Sequence, residues 1–115
     1  MSDYDYIIVG AGSAGCVLAN RLSQDLSNKV LLIEAGGSDR RFFIQMPIGY
    51  GVTYHQKAVN WMYMTEPSPD ADNKPSYWPR GKVMGGSSSI NAMVYVRGNH
   101  KDFDQWANMG NPGWS

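Results

Sequence analysis

The stretch that decides the fold is YDYIIVGAGSAGCVLANRL, residues 4–22, together with KVLLIEAGG, residues 29–37. Residues 4–9 are rich in β-branched and aromatic side chains and stop at a glycine, which is typical of a buried strand. Apolar side chains then recur at helical spacing as far as a helix end near residues 27 and 28: Val17, Leu18, Leu22 and Leu26. Because strand, helix and strand follow so closely, the sequence predicts a right-handed βαβ unit with parallel strands over residues 4–35.

The turn between the first strand and the helix carries glycines in the order GxGxxG. Gly10 allows the tight turn, Gly12 lets a pyrophosphate approach the backbone, and Gly15 lets the helix pack against the strand. Free N–H groups at the start of the helix favour an anion. The sequence therefore predicts that a dinucleotide binds at this turn.

Glu34 stands at the end of the second strand, about 20 positions beyond the turn, where an acidic residue meets the ribose of a dinucleotide. Its carboxylate is placed to accept hydrogen bonds from the ribose hydroxyls of an adenosine and would repel a 2′-phosphate. These features alone do not separate NAD from FAD.

A second glycine-rich stretch, RGKVMGGSSSIN, occupies residues 80–91. Gly85 and Gly86 remove side chains where a flat ring or a diphosphate would press against the backbone, and the neighbouring serines and Asn91 supply neutral hydrogen-bonding groups. Composition alone leaves two interpretations, a flexible loop or a second wall of the ligand site. A helix terminus contributes at most about 2 kcal/mol to anion binding, whereas nanomolar retention needs about 12 kcal/mol. Other segments must therefore hold the ligand, which favours the second wall.

The remaining segments are predicted from local patterns. Residues 36–57 lack a sustained period and are expected to form a long excursion over a surface. A short strand within residues 60–66 is expected to pair with YWP, residues 77–79, across a turn-rich segment. Helices are predicted within the second glycine-rich region, over Ser88 to Val94, and over residues 100–110. The expected layout is a βαβ unit (4–35), an excursion and hairpin (36–79), a second loop with a helix (80–98) and a last helix (100–110).

Composition and charge restrict the class of protein. The 115 residues, 43% of them hydrophobic, allow one globular core and at most one domain. Ten basic and ten acidic residues give no net charge, so we expect no nucleic-acid partner. Cys16 is the only cysteine, which excludes an internal disulfide and a zinc site with several cysteine ligands.

The location of the protein is predicted from its N-terminus and its apolar runs. MSDYDY lacks the positive region of a secretory signal, and the early apolar runs are far shorter than the about 20 residues of a membrane span. We expect a cytoplasmic protein in a reducing compartment, with no indication of membrane attachment.

Several other reactive or aromatic side chains are given structural roles. His55 and His100 are expected to be solvated, and Asp102 and Asp104 to mark a solvent-facing side of the last helix. Cys16 is expected to be buried against the sheet. The larger aromatic side chains are expected in the core: Trp61, Tyr63, Trp78 and Trp106.

The two stretches DYIIVGAGSAGCVLANRL to LLIEAG and WPRGKVMGGSSSINAMVYVRGNHKDFDQWA resemble the N-terminal part of the glucose-methanol-choline oxidoreductases, the FAD-dependent alcohol-oxidising family. The resemblance covers essentially the whole chain and is strongest to the choline dehydrogenase and alcohol dehydrogenase branch. It implies an α/β, Rossmann-like FAD-binding domain. Because only two parallel strands are predicted where a doubly wound sheet has about five or six, we expect an incomplete domain, the N-terminal piece of a longer protein.

The resemblance also assigns site residues. It implies that the FAD diphosphate is met by Gly10, Gly12, Ser13, Ala14 and Gly15, and the adenosine ribose by Glu34 and Ala35. It implies that the flavin side is lined by Val83, Gly85, Asn91, Ala92, Met93 and Val94. Some relatives attach flavin through a histidine just before the asparagine, and since Ile90 stands there we expect non-covalent FAD.

The family's reaction removes a hydroxyl proton from an alcohol and passes a hydride from its carbon to flavin N5. The histidine that moves the proton lies near the C-terminus of family members, so no catalytic residue is assigned to this chain. No metal site is assigned either. A small alcohol is the expected substrate. A dehydrogenase with an unknown acceptor, an oxidase that uses oxygen, and a plain NAD-binding module stay open as alternatives.

Overall fold

The computed structural model describes residues 3–114 of the chain. Strand β1 (Tyr6–Val9) is followed by helix α1 (Ser13–Leu22) and strand β2 (Val30–Ile33). The two strands pair in parallel along their whole length. This arrangement confirms the predicted βαβ unit.

Helix α1 packs against β1 through Gly15, which is buried. A Cβ added at Gly15 would overlap the carbonyl oxygen of Gly10, so a side chain at this crossing would push the helix away from the strand. The helix ends earlier than predicted. Asp25 accepts hydrogen bonds from the backbone N–H and the hydroxyl of Ser27, at 3.0 and 2.7 Å, and such local contacts compete with helical ones.

The excursion after β2 contains regular structure that the sequence patterns do not predict. Helix α2 (Phe42–Gln45) and helix α3 (Tyr50–Thr53) are joined by a 3-10 turn over Pro47–Gly49. Each element is one turn long, too short to show a hydrophobic period. A Cβ at Gly49 would overlap the backbone of Phe43, so this glycine lets the helical turns pack closely.

Strand β3 (Tyr63–Met64) pairs antiparallel with strand β4 (Tyr77–Trp78), at the positions where the sequence predicts a hairpin. Buried Asn60 braces its open end. The side-chain oxygen of Asn60 accepts the N–H groups of Met62 and Arg80, both at 2.9 Å. Because these bonds join both arms of the hairpin, two very short strands are held in register.

The helix predicted over Ser88 to Val94 is wrong. A 3-10 turn spans Gly86–Ser89, and residues 91–99 form no helix before helix α4 (His100–Asn108). The Ser88 hydroxyl donates to the Gly85 carbonyl at 2.6 Å, and the Ser89 hydroxyl donates to the Met84 carbonyl at 2.7 Å. Met93 has φ 55°, with its N–H donated to the Asn91 side chain. These side-chain contacts satisfy the backbone in a non-helical form.

The buried core is small and lies under the second glycine-rich stretch. It consists of Val59, Val83 and Ile90, with Ile44 packed against them. The prediction that the large aromatic side chains fill the core is wrong: Trp61, Tyr63, Trp78 and Trp106 are 42, 50, 50 and 47% exposed. Two of these rings contact cations: Lys82 Nζ lies 4.5 Å from the Trp61 ring centroid, and Arg80 Cζ lies 4.9 Å from that of Trp78.

Candidate functional site

Residues 81–86, here called the linking segment, connect three separate parts of the chain through backbone hydrogen bonds. The N–H of Lys82 donates to the Val59 carbonyl (2.8 Å), next to the hairpin. The N–H of Met84 donates to the carbonyl of Gly37, just beyond β2 (2.9 Å), and that of Gly85 to the carbonyl of Ala11 (2.7 Å). The linking segment therefore holds the first glycine turn, the end of β2 and the hairpin together.

Glycines make these close crossings feasible. A Cβ at Gly36 would overlap the carbonyl of Lys82, and a Cβ at Gly86 would lie 3.0 Å from the Cα of Gly12. Gly85 and Gly86 also have φ values of +87° and +58°, which L side chains rarely adopt. In this structure Gly86 allows a close contact between two backbones, a packing role that the sequence patterns do not reveal.

The first glycine turn, in contrast, faces open space. A Cβ placed at Gly12 meets no atom within 4 Å, and the same holds at Gly10. Gly12 is the N-cap of α1, and within residues 3–114 no side chain caps this helix end and no acidic residue stands in its first turn. Exposed Ser13 and Ala14 follow. The uncapped N–H groups and the free volume fit a diphosphate, since a helix N-terminus favours an anion.

Glu34 lies half-buried where β2 meets the first glycine turn. Its Oε2 accepts the N–H of Ala11 at 2.7 Å, and its Oε1 accepts the N–H of Gly36 at 2.9 Å. A carboxylate has about four lone-pair sites, so capacity for ribose hydroxyls remains. The neighbouring Ala35 is exposed. The contact with two backbone amides is a function of Glu34 that sequence reasoning missed.

The residues expected at the flavin side differ in accessibility. Val83 is fully buried in the core and its carbonyl accepts the N–H of Gly86 at 2.7 Å, so it supports this stretch from within and presents no surface to a ligand. Gly85 is half-buried on the linking segment, whereas Asn91, Ala92, Met93 and Val94 are all exposed. The structure therefore joins Gly85 to the diphosphate turn and leaves the last four side chains open to a ligand.

A cavity of about 370 Å³ adjoins this region. Its lining combines residues of the second glycine-rich stretch with α3 and the hairpin: Tyr50, Tyr54, Pro79, Arg80, Ser87, Ile90, Asn91 and Ala92. Tyr50 and Tyr54 are missed by sequence reasoning, because they belong to the excursion, which carries no motif. Their presence places two aromatic rings beside the expected flavin residues.

The remaining candidates lie outside the site. His55 and His100 are exposed, and so are Asp102 and Asp104 on α4. Among residues 3–114 no group of three or more His, Cys, Asp or Glu side chains is arranged to hold a metal ion. No helix in the same range is both long and apolar enough to cross a membrane.

The chain is similar in sequence to known dehydrogenases. An oxygen-dependent choline dehydrogenase from Vibrio vulnificus (strain YJ016) is 55% identical over 112 residues, which cover 97% of this chain and 20% of that protein. An alcohol dehydrogenase [acceptor] from Pseudomonas putida is 53% identical over 111 residues, covering 96% of this chain and 20% of that protein. The chain thus spans about a fifth of the length of these relatives.

Solved structures of similar fold include pyridoxine 4-oxidase from Mesorbium loti, with a TM-score of 0.78 and 38% identity over 98% of this chain and 22% of that one. A formate oxidase structure gives a TM-score of 0.76 and 34% identity over 97% of this chain and 20% of that one. The family model described as GMC oxidoreductase matches residues 4–115. The chain therefore belongs to the GMC oxidoreductase family, of which it forms the N-terminal, FAD-binding part.

Proposed function

We propose that this chain holds FAD non-covalently as part of an oxidoreductase that acts on the CH–OH group of a small alcohol. The observation that carries the proposal is the uncapped, open start of α1 at Gly12, with Glu34 and Gly85 both hydrogen-bonded to the adjoining residue Ala11. When bound, FAD supplies an acceptor for the hydride that leaves the alcohol carbon.

The diphosphate is assigned to the first glycine turn. Gly10 and Gly12 leave the space for it, and the N–H groups at Ser13 and Ala14 are available at the uncapped helix end. Gly15 contributes indirectly, because its missing side chain lets α1 approach β1 and fixes the direction of those N–H groups.

The adenosine ribose is assigned to Glu34 and Ala35. Glu34 retains lone pairs after accepting two backbone N–H groups, and Ala35 is exposed beside it. A carboxylate here accepts hydroxyl donors and repels a phosphate, which supports FAD or NAD over a 2′-phosphorylated dinucleotide.

The flavin side is assigned to the second glycine-rich stretch. Val83, which is fully buried, would support this side from the core, and Gly85 would face it with its half-buried backbone. Four residues would act through exposed groups: Asn91, Ala92, Met93 and Val94. Ile90 is 8% exposed within the apolar core and carries no nucleophile, which supports non-covalent attachment. A plain NAD-binding module would leave the exposed residues 91–94 without a ligand to contact.

The substrate class is inferred from the two dehydrogenases named above, whose names specify choline and an alcohol. The solved neighbours include oxidases, so an oxidase that returns electrons to oxygen is the alternative to a dehydrogenase with another acceptor. The residues that move the substrate proton are not assigned to this chain. A cytoplasmic location remains the expectation from the sequence.

The test is a visible absorption spectrum of the full-length protein, followed by a spectrum of the supernatant after heat denaturation. We expect flavin bands that pass into the supernatant, and reduction of an artificial acceptor when primary alcohols are added. Flavin retained in the precipitate would contradict the non-covalent assignment. A colourless protein that takes up no FAD would contradict the proposed function.

A further inference from the structure

Glu34 makes a pair of contacts that need no ligand. One carboxylate oxygen accepts the N–H of Ala11 in the first glycine turn, and the other accepts the N–H of Gly36 beyond β2. Residues 11 and 36 belong to different loops, so the carboxylate ties the turn to the end of the neighbouring strand. The ribose contact expected from the fingerprint does not require either bond.

Ala11 is the point where this contact joins the second glycine-rich stretch. Its carbonyl oxygen accepts the N–H of Gly85 at 2.7 Å and the thiol of Cys16 at 3.3 Å. Ala11 is fully buried, so an N–H that lost Glu34 would be left without water as a substitute. Glu34, Ala11 and Gly85 therefore form a continuous series of contacts across both glycine loops.

We infer that Glu34 is a positioning residue that sets the conformation of the first glycine turn, and its contact with the linking segment, before the cofactor binds. The inference rests on the proposed function only for the identity of the ligand. The hydrogen bonds that carry it are present in the protein alone.

The chemistry of the side chain explains why a carboxylate is needed. Two acceptor oxygens face two N–H donors, and hydrogen bonds to a charged acceptor are stronger than neutral ones. Glutamine offers a single acceptor oxygen and would place an NH₂ donor against the other backbone N–H. The Glu34→Gln variant therefore keeps the shape of the side chain and breaks at least one of the two contacts.

Amide hydrogen exchange of the full-length protein, after removal of flavin, tests the inference. We expect protection at Ala11 and Gly85 in the unchanged protein, and exchange at Ala11 faster by about tenfold or more in Glu34→Gln, with Gly85 following. Glu66→Gln is the matched control, because Glu66 is exposed in the turn after β3. Unprotected Ala11 in the unchanged protein, or equal exchange in both variants, would overturn the inference. The first of these outcomes does not depend on whether the variant folds.

A ligand without the ribose separates positioning from ribose binding. Riboflavin 5′-diphosphate keeps both phosphates and the flavin and lacks the adenosine. We expect Glu34→Gln to reduce the affinity for riboflavin 5′-diphosphate by about tenfold, since the turn that receives the diphosphate is displaced. A loss confined to FAD would mean that Glu34 acts only at the ribose, which contradicts the inference. If the unchanged protein binds neither flavin, the proposed function is wrong. The hydrogen-exchange experiment still tests the positioning role, because it is made without a ligand.

Discussion

The two glycine-rich loops of this chain use the same residue for opposite purposes. At Gly12 the missing side chain leaves open space at the start of α1. At Gly86 a Cβ would lie only 3.0 Å from the Cα of Gly12, so the missing side chain allows a close contact between the two loops. The first loop has free volume beside Gly12, whereas in the second loop the space beside Gly86 is taken up by the backbone of the first.

The role of a glycine, in packing or in leaving space, therefore depends on which atoms an added Cβ would contact. Both loops have the small residues of a phosphate or flavin site, yet Gly86 in the second loop serves contact with the backbone of the first. We still assign the second loop to the proposed site, because its Gly85 donates a hydrogen bond to Ala11 in the first turn and because it leads directly to the exposed residues 91–94.

The crossing at Gly36 is the most severe test of the packing role. Gly36→Ala would drive a methyl group into the Lys82 backbone, so we expect a loss of about 3 kcal/mol or more in the free energy of unfolding. Gly51→Ala is the matched control, because it lies in α3 with nothing within 4 Å, and it should be neutral or stabilising by up to about 1 kcal/mol. Urea unfolding of both full-length variants measures the difference. Similar midpoints would refute the packing role of Gly36.

Glu34 contacts the first loop directly, through the N–H of Ala11, and its loss should affect ligand binding more than the stability of the fold. We expect Glu34→Ala to weaken FAD binding by about 1 to 3 kcal/mol, the cost of deleting a charged hydrogen-bond partner. Titration of the flavin-free protein with FAD, followed by flavin fluorescence, measures the change. Glu66→Ala should leave the affinity unchanged. An unaltered affinity in Glu34→Ala would remove Glu34 from the site.

Gly12 and Gly86 lie next to each other, so the same substitution at each position compares ligand binding with stability. Gly12→Ala should reduce FAD affinity by up to about 2 kcal/mol and leave the stability of the flavin-free protein unchanged, since its Cβ enters open space. Gly86→Ala should reduce that stability by about 1 to 2 kcal/mol, because its φ is left-handed. FAD titration and thermal unfolding are run on both variants. If both substitutions reduced mainly FAD affinity, or both reduced mainly stability, the two glycines would not have the different roles described.

Asp25 offers the smallest effect, at a turn outside both loops. Like Glu34 it is a carboxylate that accepts a backbone N–H, but it is exposed. Hydrogen bonds from the Ser27 hydroxyl and N–H hold its pKa below the usual value of about 3.8. A carboxyl group whose pKa is lower in the folded than in the unfolded state stabilises the fold at pH values above its unfolded-state pKa. This contribution is lost as the pH falls through the folded-state pKa.

We therefore expect Asp25→Asn to lower the midpoint of thermal unfolding slightly at pH 7, and the difference from the unchanged protein to shrink below about pH 4. Thermal unfolding over a pH series measures it. A difference that persists undiminished in acid would mean that the charge of Asp25 is not its cause.

Local sequence determined the parts of this protein that depend on neighbours along the chain. The βαβ unit follows from hydrophobic periodicity, the diphosphate turn from the spacing of Gly10, Gly12 and Gly15, and the hairpin from alternating aromatic residues around a turn. Each of these signals lies within a few residues of the element that it predicts. They were sufficient for the fold class, and they place the glycine turn to which we assign the diphosphate.

Tertiary structure alone decided how these parts meet. The bond from Gly85 to Ala11 joins residues far apart in the chain, and no local pattern specifies which backbone a glycine will touch. For the same reason the pattern around Ser88 to Val94 suggested a helix, although serine and asparagine side chains satisfy the backbone there instead. Burial of Ala11 and Val83, and with it the role of Glu34, arises only when distant segments exclude water together.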